Sequence, residues 1–339
     1  MPYCYLLVIH LLLNWYHCSQ NSHLMKKRHY CILLLFLPIF IAAQTGQESH
    51  AKAKAAFQKG DYDTWFAESQ KAAKHKIPES LYYMGLAYDP VYAKSIKNPA
   101  DKSATKALGF YKQASELGYA SASYTAAEMI RLGDGVEANK EESIMYYKKA
   151  YIQNHPKAAN AVSQLIGGAN YVKWLESLVQ GGNYDAAREL GTLYITGTFV
   201  EKNPDSAMKW LKTGAKNNHA GCTYVLGYMY RNGFKEVENG KVELFNEDKD
   251  IPKAVECYKK AANLGSWEAC NNLGEMNMQG LEIKGNMAES YKWFKKSCEL
   301  NNGYGCHMCS VLIVNKHVTG TNEEAQSFAS KALQLGYKP

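Results

Sequence analysis

The chain has 339 residues, of which 46% are hydrophobic, and a formal net charge of +7 at pH 7. Its mean hydropathy of −0.39 favours a water-soluble protein over an integral membrane protein. Residues 1–43 contain three basic residues and no acidic one, which leaves 36 basic against 32 acidic residues in the remainder. Because this excess is mild and no basic stripe is interleaved with aromatic residues, we predict no nucleic-acid partner.

Residues 1–43 are predicted to be a secretory signal peptide. The basic segment Met25–Arg28 precedes the apolar segment Tyr30–Ile41, and two alanines follow. The apolar run covers about 14 residues, whereas a helix that spans a bilayer needs roughly 20. We therefore expect a periplasmic or secreted protein without a stable membrane span once the leader is removed. Two alternatives stay open: Met25 is the true start, or a second apolar run, Tyr5–Leu13, joins the first in an uncleaved anchor.

Residues 44–78 are predicted to form a polar lead and a terminal capping hairpin. Alanine-rich helical patterns cover residues 49–59 and 62–76, with a break at Gly60–Asp61. The segment has the helical pattern of the later hairpins without their full motif, as expected of a terminal repeat.

A helical hairpin then recurs through most of the chain. Residues 270–306 hold one complete unit, in which a short first helix ends at Gly280 and a second helix with one broad apolar face follows Asn286. Because neither helix can bury its apolar face alone, the unit predicts a stack of copies. The copies share a Leu-Gly step in the first helix (Leu190-Gly191, Leu226-Gly227, Leu273-Gly274, and more loosely Met84-Gly85 and Ala126-Ala127) and a small residue that opens the second (Ala107, Ser143, Ala207, Ala254, Ala288 and Ala325).

These repeats resemble the Sel-one-like repeat family, which is related to the tetratricopeptide repeat. The segments Arg188–Gly197, Arg131–Val136 and Lys253–Ala262 carry the resemblance most plainly, and it covers residues 79–337. It implies an all-α fold, a right-handed α-solenoid of helix-turn-helix repeats that binds partner proteins, and it does not by itself imply chemistry. Hairpins are expected near residues 79–118, 120–154, 156–181 (short and degenerate, turning at Gly167-Gly168), 183–217, 219–264, 266–301 and 303–336.

The resemblance also places a partner-binding surface on the concave face. In a tetratricopeptide-like stack, the residues two before, two after and five after the Leu of the first helix point into this face. Tyrosine and arginine are common anchors of protein interfaces, so these positions predict binding of an extended peptide or a helix. Packing of the tyrosines between neighbouring hairpins is the alternative. The candidate residues are Tyr82, Tyr124, Glu128, Arg131, Arg188, Tyr224, Tyr228, Arg231, Asn271 and Glu275, with Leu86, Asp89, Thr192, Ile195 and Met278 at the remaining positions.

One cysteine pair is a candidate disulfide. Cys298 ends one second helix and Cys306 begins the next first helix, a separation that allows a bond across the turn. The segment between them resembles the secreted cysteine-rich branch of the family, in which such pairs form disulfides, and an exported protein keeps the bond oxidised. That branch repeats the pair in successive units, whereas here Ala262 stands where Cys270 would need a partner. Cys257 and Cys309 occupy core positions and are interpreted as buried, inert thiols.

Two insertions lengthen the turns within hairpins. Residues 89–102 extend the first full repeat, and residues 233–250 extend a later one. In the second insertion, Val237 and Val242 flank Asn239-Gly240 at the spacing of a two-residue hairpin loop, which predicts a small β-hairpin near residues 234–245. Both insertions are either partner contacts or solvated loops.

Short motifs that imitate catalytic or metal sites are better explained by the repeat. Ser103-x-x-Lys106 and Ser206-x-x-Lys209 imitate a serine β-lactamase signature, and Lys212-Thr-Gly214 imitates another, but the second pair would share one helix instead of facing each other from a helix and a strand. Cys306-His307-Met308-Cys309 offers only half of a metal site. We predict no enzyme, metal or cofactor. A Cys/His arrangement assembled from distant repeats stays open.

The sequence thus predicts an exported, monomeric repeat scaffold that binds another protein or peptide. Periplasmic toxin neutralisation, as by an immunity protein, and adaptor work in an envelope complex are the two concrete versions that the resemblance implies. An envelope hydrolase or penicillin-binding activity and a secreted host-interaction factor are the alternatives.

Overall fold

The computed structural model of the protein describes residues 44–92, 102–236, 242–244 and 249–338. Within these residues the fold is the all-α helical repeat that the sequence predicts. The helices are α1 (residues 44–59), α2 (Tyr62–Lys74), α3 (Pro78–Tyr88), α4 (Ala104–Glu116), α5 (Ala120–Leu132), α6 (Lys140–Ile152), α7 (Ala158–Ile166), α8 (Gly168–Gln180), α9 (Tyr184–Thr196), α10 (Pro204–Lys216), α11 (Ala220–Arg231), α12 (Ile251–Asn263), α13 (Trp267–Gln279), α14 (Met287–Glu299), α15 (Gly303–Val314) and α16 (Asn322–Gln334). Within each repeat the two helices of a hairpin pack against each other, from α3 with α4 to α15 with α16 except at α7 and α8.

The chain divides into two compact units. The N-terminal unit ends at Leu165 and the C-terminal unit begins at Ile166, so the division falls near the end of α7. It lies within residues 156–181, the segment that the sequence identifies as a degenerate repeat. Among the helices of the described residues, none combines the length and apolar character needed to cross a bilayer.

Polar caps define where the second helix begins in every repeat except that of α8, which follows Gly167 and has no side-chain cap. A side-chain oxygen of the N-cap residue accepts a hydrogen bond from the backbone N–H three residues further on, which satisfies one of the free donors of the first turn. The residue that follows each second helix and its C-cap adopts a positive φ and turns the chain into the next first helix. The caps are Asp61, Ser103, Asn139, Asn203, Asp250, Asn286 and Thr321, and the positive-φ residues are Lys76, Gly118, Asn154, Gly182, Asn218, Gly265, Asn301 and Gly336.

The glycine of the Leu-Gly step allows the two helices of a hairpin to approach closely. A Cβ atom at Gly227 would lie 2.7 Å from the ring of Tyr258, and one at Gly274 would lie 2.8 Å from the ring of Phe294. Both rings are fully buried. The small residue of the step is therefore required by the large side chain that the second helix places against it.

A row of lysines joins consecutive second helices. Within the C-terminal unit, Lys260 donates to the carbonyl oxygen of Ala215 at 3.0 Å, and Lys331 donates to that of Cys298, also at 3.0 Å. These carbonyls lie at helix C-termini, where a cation compensates the helix dipole. Lys149 in the N-terminal unit makes the equivalent contact with Glu116. The lysines that follow the aromatic positions thus stabilise the stacking of repeats.

The insertion after α11 contains the predicted β-hairpin, but in a different register. Strands β1 (Phe234–Glu236) and β2 (Val242–Leu244) are antiparallel, and Glu236 pairs with Val242. A two-residue loop at Asn239-Gly240 would instead pair Val237 with Val242. The prediction of a two-residue loop was therefore wrong, because the observed pairing leaves five residues, 237–241, between the strands. Those five residues themselves lie outside the described part of the chain.

Two further expectations need correction. The predicted polar lead is helical from residue 44, so α1 begins earlier than residue 49. In α14 the small residue that packs inward is Ser290 and not Ala288: Ser290 is fully buried and donates to the carbonyl of Gly274, whereas Ala288 is exposed. Ser290 is four residues after the cap Asn286, the same offset as Ala254 from Asp250. The predicted signal peptide, residues 1–43, and most of the first insertion lie outside the described residues.

Candidate functional site

In the N-terminal unit, the first helices α3 and α5 border a cavity of about 320 Å³. Four residues that the sequence assigns to the binding face come together here from two consecutive repeats. Tyr82, Leu86 and Asp89 belong to the first of these repeats and Glu128 to the second. The lining residues are Tyr82, Leu86, Asp89, Val91, Tyr92, Thr125, Glu128, Met129 and Asp134. We call this space the first-helix cavity. Three of its lining side chains are carboxylates, and its wall also contains aromatic and aliphatic groups.

Asp89 is the most enclosed carboxylate of the first-helix cavity, with 8% of the residue exposed. Its Oδ2 accepts a hydrogen bond from the hydroxyl of Tyr111 at 2.9 Å. Its Oδ1 accepts from the backbone N–H groups of Val91 at 2.8 Å and Tyr92 at 3.2 Å. Asp89 thereby fixes the start of the first insertion. Burial of Tyr111 and the nearby charge of Asp89 raise the pKa of the Tyr111 hydroxyl.

Glu128, at the other side of the cavity, belongs to a polar network. It accepts hydrogen bonds from the Tyr147 hydroxyl at 2.5 Å and from Arg131 Nη2 at 2.7 Å, and Arg131 Nε donates to Tyr147 at 3.1 Å. Burial opposes ionisation of Glu128, but the bonds from Tyr147 and Arg131 outweigh it and lower its pKa. The network therefore holds Glu128 as a carboxylate.

The three tyrosines two positions before the Leu each pack against the second helix of their own hairpin. The ring centroids of Tyr82 and Tyr111 are 5.5 Å apart, those of Tyr124 and Tyr147 5.4 Å, and those of Tyr224 and Tyr258 5.8 Å. Tyr82 also contacts Tyr119, the N-cap of α5, at 5.2 Å, and Tyr124 contacts His155, in the turn before α7, at 4.2 Å. Packing between hairpins, the alternative left open by the sequence, accounts for these contacts.

In the C-terminal unit, Arg231 is held by the following repeat. Its Nε donates to Glu282 at 2.8 Å, and its Nη1 donates to Asn272 at 2.9 Å. Asn272 in turn lies 3.5 Å from the hydroxyl of Tyr224. Arg231 and Tyr224 thus come together, as predicted for one face, and they also join two repeats.

The remaining candidates differ in accessibility. Tyr228 is 46% exposed, and the side chain of Arg188 is 51% exposed beside Asp185. Glu275 is partly buried. The burial of Tyr304 and, as the second cause, the negative charge of Glu275 raise the pKa of Tyr304 to about 12. Asn271 is only 8% exposed and donates to Asn302 at 3.1 Å. The amide nitrogen of Asn271 thus connects α13 to the N-cap of α15, and contact of Asn271 with a partner stays a prediction.

The structure contains the Cys298–Cys306 disulfide, with a Cα–Cα distance of 4.5 Å. Both cysteines are buried beside Ala332. The other cysteines of the repeats, Cys222, Cys257, Cys270 and Cys309, are free. Burial raises the thiol pKa to about 11 for Cys257 and Cys270 and to about 12 for Cys222 and Cys309. These thiols stay protonated at neutral pH; Cys222, Cys270 and Cys309 are buried, whereas Cys257, which the sequence predicts to be buried, is only partly so.

A Cys–His–Asp chain occurs across two neighbouring repeats, although its Cys and His lie in the same repeat and not in distant ones as the sequence left open. His219 Nε2 lies 3.3 Å from Asp185 Oδ1, and His219 Nδ1 lies 3.2 Å from Cys222 Sγ. However, Nδ1 also accepts the backbone N–H of Cys222, which makes His219 the N-cap of α11. Cys222 is fully buried, and its thiol lies 3.4 Å from the carbonyl of Tyr184. A nucleophile needs an accessible thiolate, which the buried Cys222 does not provide. The Cys–His–Asp chain therefore serves to cap a helix.

The serine motifs also have structural roles. Ser103 is the N-cap of α4, and its hydroxyl accepts from the backbone N–H of Lys106. Ser206 lies in the first turn of α10, where its backbone N–H donates to the cap Asn203. Among the residues that the structure describes, no group of three His, Cys, Asp or Glu side chains is arranged to hold a metal ion.

Sequence reasoning missed several residues of these sites. Thr125 and Asp134 line the first-helix cavity, and Asn272 and Glu282 bind Arg231. The helical spacing finds residues that face one side of a first helix. Asp134 and Glu282 lie in turns after the first helices, and Asn272 lies one position before the Leu, so the chosen spacing could not identify them.

Comparison with known proteins gives a consistent family assignment. The pattern described as Sel1 repeat matches residues 78–119, 120–155, 185–219, 220–266 and 267–302, more than half of the chain. Among curated proteins, the chain is 24% identical over 282 residues to chitin synthase regulatory factor 2 and 27% identical over 132 residues to chitin synthase regulatory factor 4, both from Schizosaccharomyces pombe. These alignments cover 79% and 39% of this chain but only 46% and 19% of the relatives.

Three solved structures align with the chain at low identity and low TM-score. The Sel1 repeat protein from Oxalobacter formigenes is 21% identical, with a TM-score of 0.40, over 84% of this chain and 98% of that one. The protective antigen c5321 of uropathogenic Escherichia coli is 21% identical, with a TM-score of 0.42, over 87% of this chain and 64% of that one. Immunity protein Pa5087 from Pseudomonas aeruginosa is 20% identical, with a TM-score of 0.38, over 66% of this chain and 81% of that one.

Proposed function

Because the chain belongs to the Sel1 repeat family, we propose that it is a non-catalytic scaffold that binds another protein through the exposed side of its first helices. The observation that carries this proposal is the first-helix cavity, around which two consecutive repeats place Tyr82, Leu86, Asp89 and Glu128. Repeat proteins that stack helical pairs use such surfaces for binding. The curated relatives are named as regulatory factors of chitin synthase, which supports a role exerted through another protein.

The proposal includes export to the periplasm or beyond the cell. Two features support it: residues 1–43 have the charged, apolar and small-residue parts of a signal peptide, and the Cys298–Cys306 disulfide is typical of oxidising compartments. Within that compartment the scaffold neutralises a secreted toxin or assembles an envelope complex. Release of the protein into the medium would favour the third version, a host-interaction factor.

The binding experiment is a capture of envelope and secreted proteins on the purified protein and on two double variants. Arg188→Ala/Tyr228→Ala removes two exposed side chains from first helices α9 and α11. Lys212→Ala/Leu333→Ala is the matched control, because it removes an exposed cation and an exposed apolar side chain from second helices α10 and α16.

We expect the first variant to lose the captured partner and the control to keep it. Equal capture by both variants would contradict binding through the first helices of the C-terminal unit. Cell fractionation tests the export separately: the protein is expected in the periplasm or the medium with the Cys298–Cys306 bond formed, and recovery only from the cytoplasm with both thiols free would contradict it.

A further inference from the structure

We propose that the first-helix cavity receives the side chain of an arginine from an extended segment of the partner. This inference rests on the proposed function and deepens it, because it names the partner chemistry that one part of the surface recognises. Three features of the cavity carry the inference: an uncompensated buried carboxylate, an aromatic and aliphatic wall, and a volume that suits one side chain.

The first feature is the charge balance. Glu128 is neutralised by Arg131, whose guanidinium lies 2.7 Å away. The three donors to Asp89 are the Tyr111 hydroxyl and two backbone N–H groups, all of which are neutral. Within the residues that the structure describes, neither Asp89 nor Asp134 forms an ion pair. A buried carboxylate without a counter-ion is costly, so a cation supplied by the partner is favoured.

The second feature is the wall of the cavity. Tyr82 lines the cavity while its ring also packs against Tyr111 and Tyr119, and Leu86 and Met129 supply apolar surface. A guanidinium is planar, stacks on aromatic faces and forms paired hydrogen bonds with carboxylates, whereas an ammonium is a strongly hydrated point charge. The combination of a ring with two uncompensated carboxylates therefore favours arginine over lysine.

The third feature is size. A volume of about 320 Å³ is at the lower end of the roughly 300–1,000 Å³ of small-molecule pockets. It suits one long side chain better than a cofactor. The groove between α3 and α5 leaves the backbone of an extended segment outside the cavity, consistent with recognition of one anchor residue.

The test begins with selection of peptides from a random display library on the purified protein. We expect selected peptides that depend on the N-terminal unit to share one arginine. Their affinity is then measured by fluorescence anisotropy for the arginine peptide, its norleucine version and its lysine version. The protein variants are Asp89→Asn, Asp134→Asn and the control Glu137→Gln, which removes one exposed carboxylate that does not line the cavity.

The expected result is coupling between peptide and protein changes. The Arg→norleucine change weakens binding to the parent protein and to Glu137→Gln by about tenfold or more, and it has a much smaller effect on the two Asp→Asn variants. The lysine peptide binds with intermediate affinity. Asp134→Asn keeps the test decisive where Asp89→Asn disturbs the turn at Val91 and Tyr92, since Asp89 accepts from both backbone N–H groups and, among the described residues, the Asp134 side chain makes no such contact.

Absence of coupling, or selected peptides without a shared basic residue, would overturn the inference. The proposed function would still stand if those peptides lost affinity for the Arg188→Ala/Tyr228→Ala variant. If no peptide and no protein bound any form of the chain, the proposed function itself would fail.

Discussion

The two units of the molecule fill the same position of the repeat with different chemistry. In the N-terminal unit, the hydroxyls of Ser115 and Ser123 lie 2.6 Å apart, both buried, across the turn between α4 and α5. In the C-terminal unit, the equivalent residues are Cys298 and Cys306, which form the disulfide across the turn between α14 and α15. Each pair is separated by eight residues, one at the end of a second helix and one at the start of the next first helix.

The comparison shows that the backbone brings this pair of positions together and that the side chains decide how they are joined. Two intermediate repeats support this conclusion, because they place Ala215 with Thr223 and Ala262 with Cys270 at the same offsets from their N-caps. The N-terminal unit thus depends on hydrogen bonds and ionisable groups, whereas the last repeats of the C-terminal unit depend on a bond that a reductant can break.

The largest expected effect is the removal of the disulfide. The Cys298→Ala/Cys306→Ala variant is expected to lower the free energy of unfolding by about 2–4 kcal/mol, because the unfolded chain loses a cross-link. Urea denaturation with and without reductant measures the effect. Reductant should destabilise the parent protein and leave the double variant unchanged. A parent protein that is insensitive to reductant would show that the bond contributes little to the stability of this unit.

Ala262→Cys tests whether the backbone alone fixes the pair. The new thiol is expected to form a disulfide with Cys270, because both positions are buried and occupy the same offsets as Cys298 and Cys306. The closed loop is short, so we expect a stabilisation of roughly 2 kcal/mol under oxidising conditions. Mass spectrometry of the intact protein detects the loss of two hydrogens. Ala262→Ser is the control without a thiol, and persistence of a free Cys270 would contradict equivalence of the two turns.

Ser115→Ala tests the hydrogen-bonded version of the turn. It removes the bond to Ser123, which also donates to the Gln153 side chain at 2.5 Å. The free energy of unfolding is expected to fall by about 1 kcal/mol, the net contribution of one buried hydrogen bond. Reductant is expected to have no influence on this loss. A change below the error of the urea titration would show that Ser123 and Gln153 compensate for the missing hydroxyl.

The smallest expected effect is a pH dependence of the N-terminal unit. Because Tyr147 and Arg131 lower the pKa of Glu128 below its ordinary value of 4.5, the folded protein binds this proton less readily than the unfolded chain. The stabilisation is complete above about pH 4.5 and is lost as the pH falls through the folded pKa. Glu128→Gln is therefore expected to reduce the loss of stability between neutral and acidic pH by less than about 1 kcal/mol. Glu137→Gln, an exposed carboxylate in the same unit, is the control.

Much of the fold was readable from the sequence because the repeat imposes local rules. The Leu-Gly steps, the small residues after the N-caps and the polar caps themselves depend on helix geometry over a few residues, and the structure confirms them at Gly227 and Gly274. The misassignment of Ala288 has a physical cause: Ala288 and Ser290 are two residues apart, about half a turn of helix, and the position of the cap Asn286 decides that Ser290 packs inward. The disulfide was readable because family resemblance and spacing agreed.

What the sequence determined by itself was therefore the repeat, its helices and which residues share one side of a first helix. Only the tertiary structure decided which of those residues are available: Asn271 is used between repeats, the tyrosines pack against second helices, and Asp89 becomes a buried carboxylate at a cavity. Periodicity specifies the direction of a side chain along one helix. Its burial and its polar partners depend on residues 16 to 51 positions away, such as Tyr147 for Arg131 and Glu282 for Arg231, which local spacing does not encode.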